Sequence, residues 1–222
     1  MARFRRRFPL RRRRLRRRRR PLIRRRVRKF GKGNLFCKFT QVKSYEIPVN
    51  TTSDVSISFV PTEFPEYVSL ANNFEYIQFL KVRVRVLPMQ SVSNYSTSAV
   101  PAYAMLPWHR PQPPGSTITF NQFCSVDKAK IYRQTQVGRQ TYIPNTLIYA
   151  VRDNQAVTDA EAHQIIWKPK IERAIDSSKL PTIYAGLLAF QTYTQAPVGA
   201  TTKFNVVLDA YVKCGNQNIL IP

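Results

Sequence analysis

The amino-terminal thirty-two residues carry a density of positive charge that no compact fold can bury. Between Arg3 and Lys32 there are seventeen arginines and two lysines, and the first acidic residue is Glu46. This stretch supplies 19 of the chain's 36 basic residues, whereas the remaining 190 residues hold 17 basic and 12 acidic groups. Like charges at this spacing repel one another and bury too little apolar surface to offset the entropy of ordering. The sequence therefore predicts a disordered arginine-rich arm.

The chemistry of this arm favours phosphate as its ligand. Guanidinium groups form bidentate hydrogen bonds with phosphate oxygens and stack on bases, and Phe4, Phe8 and Phe30 add aromatic surface. We expect strong, salt-sensitive binding of nucleic acid with little dependence on base sequence. The predicted contact residues are Arg3, Arg5, Arg6, Arg7, Arg11, Arg12, Arg13, Arg14, Arg16, Arg17, Arg18, Arg19, Arg20, Arg24, Arg25, Arg26, Arg28, Lys29 and Lys32.

Other roles of the arm fit the sequence less well. A nuclear import signal needs only a handful of basic residues, so import alone would leave most of this charge without a role. A secretory or mitochondrial leader is disfavoured, because the arm has no central apolar segment and no serine precedes Ser44. Binding to the surface of an anionic membrane is an alternative, but no amphipathic apolar face is present to insert into lipid.

Residues 34–222 predict one folded β-rich domain, with residues 1–33 as the arm. Strict alternation of apolar and polar residues in Ile77–Leu87 predicts the clearest strand. Short helices are expected within Glu66–Asn73 and near Asp159–Ala162, and Val137–Tyr149 has no clear pattern. About eight antiparallel strands predict an all-β jelly roll or a related sandwich. The other strands are predicted at Leu35–Val49, Val55–Phe59, Val100–Leu106, Ile118–Thr135, Ile165–Ile171, Ile183–Tyr193 and Lys203–Cys214.

The sequence contains no pattern that predicts catalysis, a metal site or a cofactor site. It has no phosphate-binding glycine loop and no H-E-x-x-H motif. His109 and His163 lack the spacing of metal ligands and are interpreted as a loop residue and a strand-edge residue. A cation site at Asp153, Asp159 and Glu161 is conceivable, but a solvated loop is the favoured interpretation.

The cysteines are three in number and far apart. Cys37, Cys124 and Cys214 form no C-x-x-C pair and fall on apolar faces of predicted strands. We therefore expect three buried free thiols, which agrees with folding in a reducing compartment.

Two arginines of the folded domain form a separate candidate site. Arg83 and Arg85 alternate with Val82, Val84 and Val86, so both arginines share one face of a strand. One interpretation is an ordinary solvated sheet face. The other is a second anionic contact, which would either bind nucleic acid or pair with a neighbouring subunit, and the sequence alone favours neither.

Several segments of the chain follow one another in a characteristic order. They are the opening Met-Ala-Arg-Phe-Arg-Arg-Arg, Gly31–Phe39, Phe59–Pro61, Phe74-Glu75-Tyr76-Ile77, Lys81–Pro88, Trp167-Lys168-Pro169-Lys170 and Phe204–Cys214. In this order, and over this length, the chain resembles the capsid proteins of circoviruses and their relatives among the small circular single-stranded DNA viruses.

The resemblance implies an eight-stranded jelly roll of two four-stranded sheets, and a small icosahedral T=1 shell of sixty copies with the arm pointing inward. It implies that the arm packages a single-stranded DNA genome and carries the signal read by the host nuclear import machinery. The protein would then occur in the virion and in the host nucleus. Attachment to cell-surface glycans is a further trait of such proteins, which the sequence assigns to no residue.

Two other classes of function stay open. A cellular nucleic-acid-binding protein of the ribosomal or chromatin type would also carry a basic tail. Such proteins usually spread basic residues over the folded domain, however, and residues 33–222 here carry a net charge of only about +5. An enzyme recruited to nucleic acid by its tail is the weakest alternative, because the sequence shows no cluster of carboxylates and its two histidines are scattered.

Overall fold

The computed structural model describes residues 33–89, 101–111, 118–149, 162–173, 180–194 and 201–217, so the arm lies outside the described residues. Eleven strands, two short α-helices and one 3-10 turn (Pro61–Glu63) form within these ranges. The strands are β1 (Leu35–Pro48), β2 (Ser53–Phe59), β3 (Phe74–Pro88), β4 (Ala102–Leu106), β5 (Lys130–Arg133), β6 (Gly138–Tyr142), β7 (Asn145–Tyr149), β8 (Ala162–Trp167), β9 (Lys170–Glu172), β10 (Ile183–Phe190) and β11 (Thr201–Gln217). The helices are α1 (Pro65–Ala71) and α2 (Phe120–Cys124).

The strands form two antiparallel sheets that pack face to face. In the first sheet, β11 lies between β1 and β3, and the far edge of β3 pairs with β6 and with β9. In the second sheet, β2 pairs along the whole of β10, so β4 and β7 share the other edge of β10, followed by β5 and β8. The predicted all-β sandwich is confirmed. The described residues give sheets of five and six strands rather than four each.

The larger number of strands has a physical origin at two turns. The predicted strand Ile165–Ile171 is divided in two, because Pro169 has no N–H group to donate to a ladder and Lys168 adopts a positive φ of 53°. Its halves, β8 and β9, belong to different sheets. The unassigned segment Val137–Tyr149 likewise forms β6 and β7, one in each sheet. The sequence of β6 shows no alternation of apolar and polar residues, because Gly138 and Gln140 occupy two of its buried positions.

The predicted strand start at Ile118–Cys124 is wrong. Phe120–Cys124 form helix α2, which begins with a capping box in which the backbone N–H of Thr119 donates to Gln122 Oε1 at 2.8 Å. A single helical turn contains too few residues to display a helical period, so its apolar residues resemble a strand. The helix near Asp159 predicted from the sequence lies outside the described residues, and Ala162 begins β8.

The core lies between the sheets and has an aromatic centre. Phe59 packs against Phe64 and Phe79, with ring centroids 5.1 and 5.7 Å apart, and Phe39 joins them from β1. Strand β10 is buried on both faces, as its nearly continuous apolar sequence predicts. One face joins the main core, and the other packs against Phe123 of α2.

A buried polar group fixes an aromatic residue at the margin of the second sheet. Asn145 is fully buried, and its Nδ2 donates to the backbone carbonyl of His109 at 3.0 Å. The Asn145 Oδ1 lies 3.0 Å from His109 Nδ1, so the neutral imidazole carries its proton on Nδ1. The Trp167 indole and this imidazole meet edge to face, with centroids 4.6 Å apart and an interplanar angle of 75°. Asn145 thereby orients His109, and His109 orients Trp167.

Two glycines provide a matched test of the packing. A Cβ atom on Gly186 would lie 2.8 Å from the backbone oxygen of Leu106 and 2.8 Å from the buried Tyr142 ring. The heavy atoms nearest to a Cβ on Gly215 would all belong to the far end of the half-buried Tyr76 side chain. We predict that Gly186→Ala lowers the free energy of unfolding by about 2 kcal/mol, and that Gly215→Ala costs less than half as much because Tyr76 swings aside. Urea denaturation measures both, and equal losses would contradict this account.

The environment of His109 predicts a measurable titration. Burial lowers the pKa of His109 below its ordinary value, and the hydrogen bond with Asn145 partly opposes this. Because the folded-state pKa is depressed, this group favours folding fully above about pH 6.5, and that contribution declines as the pH falls below this value. NMR titration of the His109 ring protons, assigned with the variant His109→Gln, should give a midpoint below about 6.5. A midpoint above that value would contradict the burial described.

Candidate nucleic-acid interface

The outer face of the first sheet collects basic side chains from strands that are distant in sequence. On β3, Val82 and Val84 point into the core, whereas Arg83 and Arg85 point to the opposite face. In register, Arg83 lies opposite Asp209 of β11, and Arg85 lies opposite Arg139 of β6. The face is completed by Lys81 of β3 and by residues of β1, β5, β9, β11 and the turn before β5. We call these nine side chains the basic face: Lys38, Lys81, Arg83, Arg85, Lys128, Lys130, Arg139, Lys170 and Lys213.

One buried carboxylate organises the centre of the basic face. Asp209 has only 5% of its side chain exposed, and Arg85 Nη2 approaches its Oδ2 to 3.1 Å. Lys38 Nζ lies 3.6 Å from Oδ1, and the Thr40 hydroxyl donates to the same oxygen at 3.1 Å. A carboxylate this buried requires such partners to offset its desolvation. Arg85 is therefore held as a structural ion-pair partner, which distinguishes it from Arg83.

Two tyrosines lie among the cations. Lys81 Nζ is 4.4 Å and Arg83 Cζ 5.7 Å from the ring centre of Tyr211. At the other end of the face, Lys170 Nζ lies 4.2 Å from the Tyr76 ring centre, and Lys213 Nζ donates to the Tyr76 hydroxyl at 3.0 Å. Cation–π contacts hold these long side chains in place and partly balance their charge without an acid. The arrangement presents aromatic surface and positive charge together.

The turn before β5 forms one wall of an open cleft. Lys128 adopts a positive φ of 62°, and its backbone oxygen accepts a hydrogen bond of 3.0 Å from Gln140 Nε2 of β6. This contact ties the turn to the sheet. The cleft encloses about 1000 Å³. Its basic lining residues are Lys38, Arg83, Arg85, Lys128, Lys130 and Arg139.

Most of the positive charge of the basic face is not neutralised within the described ranges. Arg83, Lys130 and Arg139 make no ion pair with any residue that the structure describes. The pairs of Lys128 with Asp127 and of Lys170 with Glu172 lie at the surface, where such pairs contribute little. A concave surface with one sign of charge focuses its electric field and attracts anions. The face can therefore bind a polyanion such as a phosphodiester chain.

Sequence analysis identified only two of these nine residues. Arg83 and Arg85 are visible because they alternate with valines on one strand. Lys81 lies on the same strand, and the other members come from β1, β5, β6, β9, β11 and a turn, so their proximity depends on a strand register that no local pattern contains. The small net charge of the folded domain also hid them, because about half of its 17 basic residues lie on this one face.

The cysteines are free thiols, as predicted, but only Cys214 is buried. Cys37 and Cys124 are partly exposed, and Cys124 lies on α2 rather than on a strand. The Sγ atoms of Cys37 and Cys214 are 3.9 Å apart, and the hydrogen bond from Cys214 lowers the pKa of the Cys37 thiol.

The described ranges contain some of the residues that the sequence offered as other sites. No group of three or more His, Cys, Asp or Glu side chains able to hold a metal occurs in the described ranges. The side chain of His163, and the residues Asp153, Asp159 and Glu161, lie outside them. Among the described helices none is long and apolar enough to span a membrane.

Comparisons with known proteins agree with this architecture. Residues 4–218 match the family model of the circovirus capsid protein. The capsid protein of Human associated cyclovirus 1 (isolate Homo sapiens/Pakistan/PK5510/2007) is 38% identical over 187 residues, which is 84% of each chain. The BFDV capsid protein in its 60-mer crystal structure is 14% identical, with a TM-score of 0.63 over 85% of this chain and 97% of that chain. The decameric BFDV capsid protein gives 0.52 at 15% identity, over 82% and 98% of the two chains.

The structural similarity shows the viral jelly-roll fold. The match along nearly the whole chain, together with the identity to a cyclovirus capsid protein, goes beyond fold. The protein belongs to the circovirus capsid protein family and is a structural component of the virion.

Proposed function

We propose that this capsid protein assembles into a T=1 shell of sixty copies and packages single-stranded DNA through its arginine-rich arm. Family membership supports assembly, and the BFDV capsid protein forms a 60-mer. The observation that carries the packaging proposal is the division of charge. The arm concentrates 19 basic residues, and the folded domain gathers nine more on the basic face. In this proposal residues 1–33 are the nucleic-acid-binding arm and residues 34–222 are the shell-forming jelly roll.

The amount of charge suits a very small genome. Sixty arms with 19 basic residues each carry about 1140 positive charges, enough to neutralise on the order of a thousand phosphates. Further phosphates require other cations. The basic face supplies nine side chains per copy, of which only Lys38 and Arg85 share a buried carboxylate.

The basic face suits single-stranded nucleic acid in particular. Its cleft is open, so a flexible phosphodiester chain can cross it, with Arg83, Lys130 and Arg139 free to contact phosphate. Tyr211 and Tyr76 lie beside the cations and offer ring faces or edges to unpaired bases. Of the two roles that the sequence left open for Arg83 and Arg85, we propose nucleic-acid binding, with Arg83 in direct contact and Arg85 positioned by Asp209.

The protein acts structurally in this proposal, without catalysis and without a cofactor. The arm also presents its basic clusters to the host nuclear import machinery, which would place the protein in the host nucleus before assembly. Attachment to cell-surface glycans would fall to the outer surface of the shell, and no residue is assigned to it.

Salt dependence tests the role of the arm. Replacement of Arg11–Arg14 and Arg16–Arg20 by glutamine removes nine charges. Binding to an oligothymidylate, followed by fluorescence anisotropy against salt, should become less salt-dependent. The slope of log affinity against log salt should fall by up to about 6, because each lost phosphate contact on a single strand contributes about 0.7. An unchanged slope would show that the arm does not bind the DNA.

Lysine footprinting tests the basic face in the full chain. A short oligothymidylate should protect Lys81 and Lys130 several-fold from acylation, at a protein concentration too low for assembly. Lys168 is also exposed, lies between β8 and β9 and is not among the residues that line the cleft, so it serves as the control that keeps its reactivity. Equal protection of all three lysines, or protection of none, would remove the basic face from the proposal.

A further inference from the structure

The large apolar side chains that remain exposed are concentrated on two opposite sides of the sandwich. One group, the Trp167 flank, consists of Ile131, Val137, Ile143, Ile148, Ile165 and Trp167. The other group, the β1 flank, consists of Leu35, Phe36, Val42 and Val68. Among the described residues, only Met89 is a further exposed large apolar residue outside both groups.

The sheet topology explains why the two flanks lie on opposite sides. Strand β1 is one edge of the first sheet, and β2 is one edge of the second. Helix α1, which carries Val68, is tied to β1, because the backbone N–H of Thr40 donates to Glu66 Oε1 at 3.3 Å. Lys43 Nζ bridges from β1 to the carbonyl of Ser58 in β2 at 3.3 Å. The opposite edges of the two sheets are formed by β6 and β9 and by β5 and β8, next to which the Trp167 flank lies.

The Trp167 side chain has the properties of an interface anchor. About half of it is exposed (49%), although it is the largest apolar side chain on its flank. Its orientation is fixed by the His109–Asn145 pair described above, so little conformational entropy is lost when a partner covers it. Tryptophan is strongly enriched among residues that dominate binding energy at interfaces.

Exposed apolar side chains on edge strands favour uncontrolled association unless a partner covers them. A shell of identical copies supplies such a partner. Around a rotation axis of order three or five, the contact is heterologous: one surface of each copy meets a different surface of the next, and the ring closes. Two apolar surfaces on opposite sides of one molecule meet this requirement.

We infer that the Trp167 flank of one copy docks against the β1 flank of a second copy of this chain. The inference rests on the proposed shell, and it adds the surfaces that join neighbouring copies. Phe36 and Val42 of the β1 flank lie opposite Lys213 and Val207 of β11 on the outer side of the first sheet, so this contact borders the basic face.

Charged substitutions on each flank test the contact. Trp167→Asp removes the anchor, and Ile131→Asp places a charge on the same flank at a side chain that is 58% exposed and has no core role. Val68→Asp does the same on the β1 flank, and Met89→Asp is the matched control outside both flanks. Sedimentation of the full chain with single-stranded DNA should show shells for the wild type and for Met89→Asp. The three flank variants should need at least about tenfold more protein to assemble.

Mixing distinguishes a heterologous contact from a symmetric one. Ile131→Asp retains an intact β1 flank, and Val68→Asp retains an intact Trp167 flank. Each variant alone should stay monomeric, and an equimolar mixture should form one-to-one dimers that do not grow into rings. Dimers of Val68→Asp alone would mean that two Trp167 flanks meet each other, which would overturn the inference.

Two controls separate the possible failures. Circular dichroism and thermal unfolding show whether each variant is folded, and Ile131→Asp replaces Trp167→Asp if the latter unfolds. DNA binding by anisotropy should equal that of the wild type for Trp167→Asp, Val68→Asp and Met89→Asp, whose residues lie outside the basic face, whereas Ile131→Asp is left out of this comparison because Ile131 adjoins Lys130. If the wild type and Met89→Asp fail to assemble, the proposed shell is wrong. If they assemble and the flank variants assemble equally well, only the flank contact is wrong.

Discussion

Electrostatic repulsion among nineteen basic residues within thirty-two positions is the physical constraint on which assembly and nucleic-acid binding depend. The repulsion within such a segment falls when an anion neutralises its charge. Sixty arms inside one shell would multiply this repulsion, so assembly and nucleic-acid binding are expected to depend on each other. A folded domain of nearly balanced charge is then an advantage, because two such domains repel each other only weakly when they come into contact.

The charged side chains of the folded domain are distributed unevenly over its surface, and the pairing of strand β11 determines where they lie. This strand pairs with β1 over fourteen residues and with β3 along most of its own length. The long pairing fixes which side chains share the outer face, and it brings Lys38, Arg85 and Asp209 within ion-pair distance. Asp209 stabilises the centre of the face, while Arg83 and Arg139 make no ion pair with any residue that the structure describes. We infer that the apolar residues of the two flanks form the contact between copies.

Local sequence patterns predicted those parts of the fold in which a strand alternates or is buried on both faces. Strands β1, β3, β10 and β11 were predicted close to their observed bounds for this reason. The patterns failed at α2, where a single turn contains too few residues to show a period, and at Pro169, which ends one strand and allows the next to join the other sheet. The basic face and the two flanks were not predicted beyond Arg83 and Arg85. Both depend on strand register and on exposure, which are properties of the assembled sheets rather than of any one segment.

The most direct test of the central claim is sedimentation of the purified full chain with single-stranded DNA, recorded at 260 and 280 nm. The account predicts a sharp particle containing about 1548 kDa of protein, which is sixty copies of the 25.8 kDa chain, with excess absorbance at 260 nm. A monomer or dimer that binds the DNA without forming larger particles would contradict it.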